Sequence, residues 1–386
     1  MAIKYVSQKA VKGKTVLVRV DVNSEIVSGK PLNSERIKAS AETIKLFKKW
    51  GAKVVVIAHQ GRPGGKDFTS LKEHAKLINK ITRIEFVPDI IGKRAQEKIK
   101  DLKNDEAILL ENVRMLKDEF KTGKTPLVKI LSSLCDIYVN DAFSVSHRVQ
   151  ATITEFPKIM VSFGGPLLEK EVKALEKVSL KNCLYILAGA KPADNMKLMK
   201  KNKILAGGLF GQMCLITKGI KFGEQEKFLR GKITNYEKTL NELKKKMKSK
   251  GKLVETSVDY AIEVNGKRKE ISIGELPSKY SIFDIGKKTQ EKYMREIKKA
   301  KSIYMKGPVG YYPDKKFREG TTAIIRAISN SHAFSLLGGG DLSEAIKFSE
   351  IPKNKFNHVS LSGGALLDYI AGKKLPGLKS LGFYNN

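Results

Sequence analysis

Apolar residues along this chain come in two textures. One is the short, mostly apolar run, at residues 16–20, 54–57, 84–87, 107–110 and 137–139. Such runs, rich in β-branched side chains and bounded by turn formers, read as strands buried on both faces, as in a parallel sheet. The other is the spaced pattern of an amphipathic helix. It is clearest at residues 34–49, where Ile37, Ile44, Leu46 and Phe47 follow a capping Asn33 or Ser34. Further helices are expected near 70–80, 90–100 and 127–134. Strands alternating with helices of this length predict a doubly wound parallel sheet.

Gly164-Gly165-Pro166 then interrupts the pattern and precedes a long amphipathic helix. A Gly-Gly-Pro break midway along a chain reads as a domain boundary and a candidate hinge. Strand-like runs resume at 183–187, 203–206, 253–256, 302–305, 333–337 and 359–361. Residues 258–274 look like an inserted hairpin, because Asn265-Gly266 separates two alternating runs.

Composition narrows the class. A chain of 386 residues with 41% hydrophobic content can build two cored domains. It contains no run of about 18 apolar residues, and its first residues lack a signal-peptide core. Cys135, Cys183 and Cys214 lie apart in apolar segments and read as reduced thiols of a cytoplasmic protein. The net charge of +33 admits a polyanionic partner such as nucleic acid. The lysines are spread along the chain with no zinc-finger or RNP-type motif, so a solvated basic surface is favoured.

The strand ends carry the chemistry. In the first half they lead to Asp21 and Asn23, to His59 and Arg62, to Arg114, and to Arg148. Parallel strands bring their carboxyl ends to one edge, where open α/β sheets bind ligands. That edge gathers Arg36, His59, Arg62, Arg114 and Arg148 into one basic pocket suited to a phosphate or carboxylate. In the second half the strands end in glycines: Gly189 before Ala190-Lys191, then Gly207-Gly208, Gly307-Pro308 and Gly338-Gly339-Gly340-Asp341. Glycine lets backbone N–H groups approach phosphates, although tight βα turns also need it for steric reasons. Neither the P-loop nor the dinucleotide fingerprint occurs.

The segments RVDVN (19–23), AHQGRP (58–63), LLENVR (109–114), VNDAFSVSHR (139–148), LAGAK (187–191), KGPVG (306–310), LLGGGD (336–341) and residues 358–381 closely resemble phosphoglycerate kinase in order and spacing. Residues 260–271 and 282–293 are similar to its archaeal branch. The resemblance implies two Rossmann-like domains facing a central cleft, joined by a hinge helix. It divides the chain into residues 1–165 with 375–386, a hinge at 166–181, and 182–374. The first domain would bind 3-phosphoglycerate through Asp21, Asn23, Arg36, His59, Arg62, Arg114 and Arg148. The second would bind ATP or ADP with Mg²⁺ through Gly189, Ala190, Lys191, Gly207, Gly208, Gly307, Pro308, Gly338, Gly339, Gly340 and Asp341, with Asp341 on the metal. Arg36, Lys191 and Gly339 take the catalytic positions, in a monomer needing no nucleic acid or membrane. The resemblance departs at Asn195, where the family has a second lysine, and at Lys306, Pro313, Leu342, Leu361 and Ser362. These departures and the charge leave a second reading open, a weakly catalytic paralogue that binds nucleic acid. A kinase of this fold for another carboxylate is disfavoured by the complete substrate-side set.

Overall fold

The structure, a computed structural model, describes residues 3–384. Two compact units emerge, one running up to Lys173 and resuming at Gly372, the other Ala174–Ala371. The division falls inside the helix Pro166–Lys177 rather than at its Gly-Gly-Pro start. The chain's end belongs to the first unit: Gly377 N donates to Ser146 O, and Ser380 Oγ donates to Ile153 O. Asn385 and Asn386, the last residues of the expected returning segment, lie outside the described residues.

In the first unit six parallel strands stand in the order Glu85–Val87, Ala107–Leu110, Lys53–Ile57, Thr15–Arg19, Ile137–Asn140, Val161–Gly164. Lys53–Ile57 shows why the apolar runs are legible. Val54 and Val56 enter the core on one face and Val55 and Ile57 the core on the other, all fully buried. Full burial of such a side chain contributes about 1.5–3 kcal/mol. The helix Glu35–Lys49 packs Ile37, Ala41, Ile44 and Phe47 against the first of these cores. Ser34 starts it by accepting from Ile37 N, which puts Arg36 in its first turn.

The second unit repeats the plan, in the order Val254–Glu255, Ile204–Ala206, Leu184–Leu187, Ser302–Lys306, Phe334–Gly338, His358–Ser360. The expected hairpin forms between Asp259–Val264 and Lys267–Ser272, with Asn265 and Gly266 both at positive φ as a type I′ turn requires. A third strand, Ile282–Ile285, joins it antiparallel. The Lys-rich helix Tyr236–Lys250 buries Tyr236, Thr239 and Leu243 and leaves Lys238, Lys244, Lys245 and Lys248 exposed. No described helix is long and apolar enough to cross a membrane.

In each sheet the chain builds to one side of its first strand and then returns to the other. The switch points are therefore between Thr15–Arg19 and Ile137–Asn140, and between Leu184–Leu187 and Ser302–Lys306. The crevice outside such a point is where doubly wound sheets bind ligands.

Candidate active site

Strand ends at the first switch point bring the expected residues together around one that the sequence reading passed over. Arg19 is fully buried. Its Nε donates to Thr152 Oγ1 (3.0 Å), its Nη1 to Val20 O (2.6 Å), and its Nη2 to His59 Nδ1 (3.0 Å). Thr152 Oγ1 passes the contact on to the buried Glu119 carboxylate (2.8 Å). A guanidinium can only donate, so His59 Nδ1 accepts and the ring proton sits on Nε2. Burial, then the charges of Arg19, Arg114, Arg148 and Arg36, hold His59 well below the ordinary histidine range. His59 thus stands on Arg19, within reach of the charges of Arg114, Arg148 and Arg36. It is a neutral N–H donor among arginines.

Asp21 follows the same strand and is almost fully buried. It accepts from Asn23 N (3.0 Å) and from Ser144 Oγ, and pairs with Arg36 Nε at 3.4 Å. Arg36 Nη1 also donates to Asn23 O (3.1 Å). Asn23 Oδ1 accepts from Gly61 N (2.8 Å), which ties this loop to the one after Lys53–Ile57. Gly61 has φ +67, and a Cβ there would stand 2.4 Å from Asp67 O, so only glycine fits. Gln60 and Asn112 stiffen the loop from below: Asn112 Nδ2 donates to Gln60 O and Thr69 O, and Gln60 Nε2 to Ser24 O and Asp67 O.

Arg114 carries most of the pocket's unmet donors. One of its nitrogens, Nη1, donates to Gly61 O. Its Nε and Nη2 are enclosed and have no hydrogen-bond partner among the described residues, and Arg148 Nε is in the same condition. Burial and the neighbouring Arg19 and Arg148 push Arg114 down to about 10. Buried donors of like charge without acceptors cost free energy until an anion arrives. Arg62 is exposed beside them; burial first, and then the charge of Arg62, lowers Arg148.

The second switch point is built differently. Gly189 N donates to Pro308 O (3.0 Å), Gly208 N to Val309 O (3.0 Å) and Gly207 N to Leu187 O (2.9 Å). A Cβ at Gly208 would lie 2.7 Å from Gly189 N, and one at Gly307 2.6 Å from Ala188 O. These glycines let three strand ends lie against each other, and the N–H groups of Gly189, Gly207 and Gly208 are spent on protein carbonyls. Gly338 is confined by Leu366, whereas nothing lies near a Cβ at Gly339 or Gly340, which open the helix Gly340–Phe348. Ala190, Lys191 and Asp341 are exposed.

Lys306 ends the central strand with a side chain only 14% exposed. Its nearest carboxylate, Asp194, is 4.0 Å away. Burial lowers its pKa, Lys191 and Lys197 add to this, and Asp194 and Asp341 oppose it. Asn195 is fully buried and donates to Ala188 O (2.9 Å), so it brings no charge to the site. Beside these residues opens a cavity of about 700 Å³, lined among others by Gly189, Gly208, Leu209, Phe228, Pro308, Tyr311, Pro313 and Asp341. Among the described residues no three His, Cys, Asp or Glu side chains converge as a metal site.

A family model for phosphoglycerate kinase matches residues 6–373. The chain belongs to the phosphoglycerate kinase family. The phosphoglycerate kinase of Methanothermus fervidus is 39% identical over 391 residues, spanning 96% of this chain and 94% of that one. That of Sulfolobus acidocaldarius is also 39% identical, spanning 99% and 96%. The crystal structure of phosphoglycerate kinase from Pyrococcus horikoshii OT3 matches with a TM-score of 0.90 at 34% identity, over 99% of both chains. The enzyme from Coxiella burnetii matches at 0.78 and 29% identity, over 96% of both. Phosphoglycerate kinases are phosphotransferases with a carboxyl acceptor, and the archaeal branch expected of the chain agrees with the relatives from Methanothermus, Sulfolobus and Pyrococcus.

Proposed function

We propose that the unit up to Lys173 binds 3-phosphoglycerate through Asp21, Asn23, Arg36, His59, Arg62, Arg114 and Arg148, and that the unit Ala174–Ala371 binds ATP or ADP. The observation that carries the first half is Arg114, whose buried Nε and Nη2 have no partner and lie beside Arg148 Nε in the same state. A phosphate would take these donors bidentately. Neutral His59 offers its Nε2–H as a further donor without adding charge.

Transfer moves the terminal phosphoryl group of ATP to a carboxylate oxygen of the acceptor. The bond from phosphorus to the leaving ADP oxygen breaks as the new one forms, giving an acyl phosphate, and the reaction runs in both directions. The nucleophile is already ionised, so no general base is required. Catalysis then rests on alignment and on neutralising charge over the equatorial oxygens. Arg36, in the first turn of its helix and held by Asp21 and Asn23, is the acceptor-side cation for that task. Lys191, Lys306 and the open backbone at Gly339 serve the polyphosphate. The donor and acceptor must be brought together with water excluded, so closure about the segment 166–181 is expected.

Magnesium is the metal expected with the nucleotide, as a hard cation that takes few protein carboxylates beside substrate phosphates. Asp341 would hold it, and when bound it supplies further neutralisation of polyphosphate charge. Each chain carries both proposed half-sites, so no second subunit is needed to complete them; a monomer in the cytoplasm is part of the same proposal. A coupled assay of 3-phosphoglycerate-dependent ATP consumption with Mg²⁺, repeated with GTP, tests this reading. Turnover with ATP supports it, and no consumption above the rate without acceptor refutes it.

A further inference from the structure

The cavity in the unit Ala174–Ala371 holds polar groups that phosphoryl transfer does not use. Gln212, on the helix Gly208–Thr217, and Gln225, on Glu224–Lys232, both line it and are only 4% and 1% exposed. The Ile282 N–H donates to Gln225 Oε1 at 2.9 Å. A backbone N–H can only donate, so this bond fixes which end of the Gln225 amide is oxygen. Its Nε2 then donates to Gln212 Oε1, again at 2.9 Å, and fixes the second amide in turn. Gln212 Nε2 is left with two N–H donors and no protein partner, yet it is not among the enclosed orphan atoms, so it opens to the cavity. Amides buried in series cost more than an apolar pair would, unless the last one meets a ligand. Leu209, Phe228 and Tyr311 supply the flat apolar wall that a heteroaromatic ring prefers.

We propose that Gln212 reads the base of the bound nucleotide, its Nε2–H donating to a ring nitrogen on the purine edge while Gln225 holds the amide in that orientation. This rests on the reading of this unit as the nucleotide-binding one. Gln225 is a positioning residue. Gln212 touches the ligand and sets base choice.

The test is calorimetric titration of the full chain with ADP, with its 1-deaza, 3-deaza and 7-deaza analogues, and with 3-phosphoglycerate. Gln212→Leu should weaken ADP by about ten- to a hundred-fold and leave 3-phosphoglycerate unchanged. Gln212→Glu keeps an acceptor for Gln225, removes the donor and adds a negative charge, so it should weaken ADP at least as much, and should weaken adenosine too, which has no phosphate for that charge to repel. It carries the test should the leucine variant fail to bind 3-phosphoglycerate, which would mark misfolding. One deaza analogue should bind the wild-type chain weakly and be indifferent to Gln212→Leu, which identifies the accepting nitrogen. In Gln225→Leu the freed amide can turn over, and the differences among the analogues should shrink. The proposal is overturned if Gln212→Glu binds ADP within threefold of wild type. A wild-type chain that binds neither ADP nor ATP overturns instead the nucleotide reading on which the proposal stands.

Discussion

Arg114→Met should make the free protein more stable and the acceptor site worse. Arg114 is buried, its side chain makes one hydrogen bond, to Gly61 O, and it stands near Arg19 and Arg148. At neutral pH, well below its depressed value of about 10, it is charged in both the folded and the unfolded chain, so the whole penalty of burying that charge is present. A fall of more than two pH units from the ordinary arginine value corresponds to roughly 3 kcal/mol against folding. Methionine fills similar space, removes that penalty and loses one hydrogen bond of about 1 kcal/mol. The net expectation is a gain of about 1–2 kcal/mol, or a few degrees in Tm for a unit of this size. Two charge-assisted hydrogen bonds to the ligand are lost at about 1.5–3 kcal/mol each, so the Kd for 3-phosphoglycerate should rise roughly 10²- to 10⁴-fold. Thermal melts with and without 3-phosphoglycerate, beside calorimetric titration, read both effects. Wild type should melt higher with ligand, and the variant should not respond. A variant that is clearly less stable and still binds 3-phosphoglycerate within threefold of wild type would show Arg114 to be a structural residue.

Other outcomes follow from the same geometry. Arg36→Ala should lower kcat about a hundred- to a thousand-fold, and a kcat close to wild type would remove Arg36 from its assigned role. Burial holds His74 down to about 4, with its Nε2–H donating to Gln60 Oε1. The unfolded chain, with histidine near 6.5, takes up the proton first as pH falls, so stability is full above about 6.5 and declines toward pH 4, by roughly 3 kcal/mol from this group. Urea melts across that range should show the decline, and His74→Gln should flatten it; equal slopes would rule out His74 as the source. Lys306→Met should weaken ADP about tenfold or more through the loss of a charge-assisted contact while leaving adenosine unaffected. Equal loss for both ligands in titration would place Lys306 away from the phosphates.

Most of the fold was legible because its strands are buried on both faces. A run such as Val54–Ile57 has no polar face to confuse the reading, and Asn265-Gly266 dictates its own turn. Val161–Gly164 escaped because it is an edge strand whose first residue is 64% exposed, so its short mixed sequence carries no burial signal. Ile282–Ile285 escaped because Asp284 interrupts it. That carboxylate is buried only because Arg268 Nη1 reaches it at 2.9 Å and Gly320 N at 2.7 Å, partners distant in sequence. In the site, residue types and strand-end positions were readable, but protonation was not. The neutral state of His59 depends on Arg19 beneath it, although an arginine within VLVRV, a run otherwise wholly apolar, was a signal that a buried charge needed partners. The glycines of the second unit are not equivalent: Gly208 and Gly307 serve close approach, whereas Gly339 and Gly340 stand open. Sequence cannot tell one that frees an N–H for a ligand from one that lets two strand ends touch.

The mutual locking of Ala188–Gly189, Gly207–Gly208 and Gly307–Pro308 bears on how this protein could change its ligand. Any side chain at Gly208 or Gly307 would force three strand ends apart at once, so the floor of the proposed nucleotide site is closed to gradual substitution. Variation has room only where side chains already stand, on the helices and strands that wall the cavity. A lineage or a laboratory selection seeking a new nucleotide would accumulate its changes at positions such as Gln212, Phe228 and Tyr311, above a floor that stays as it is.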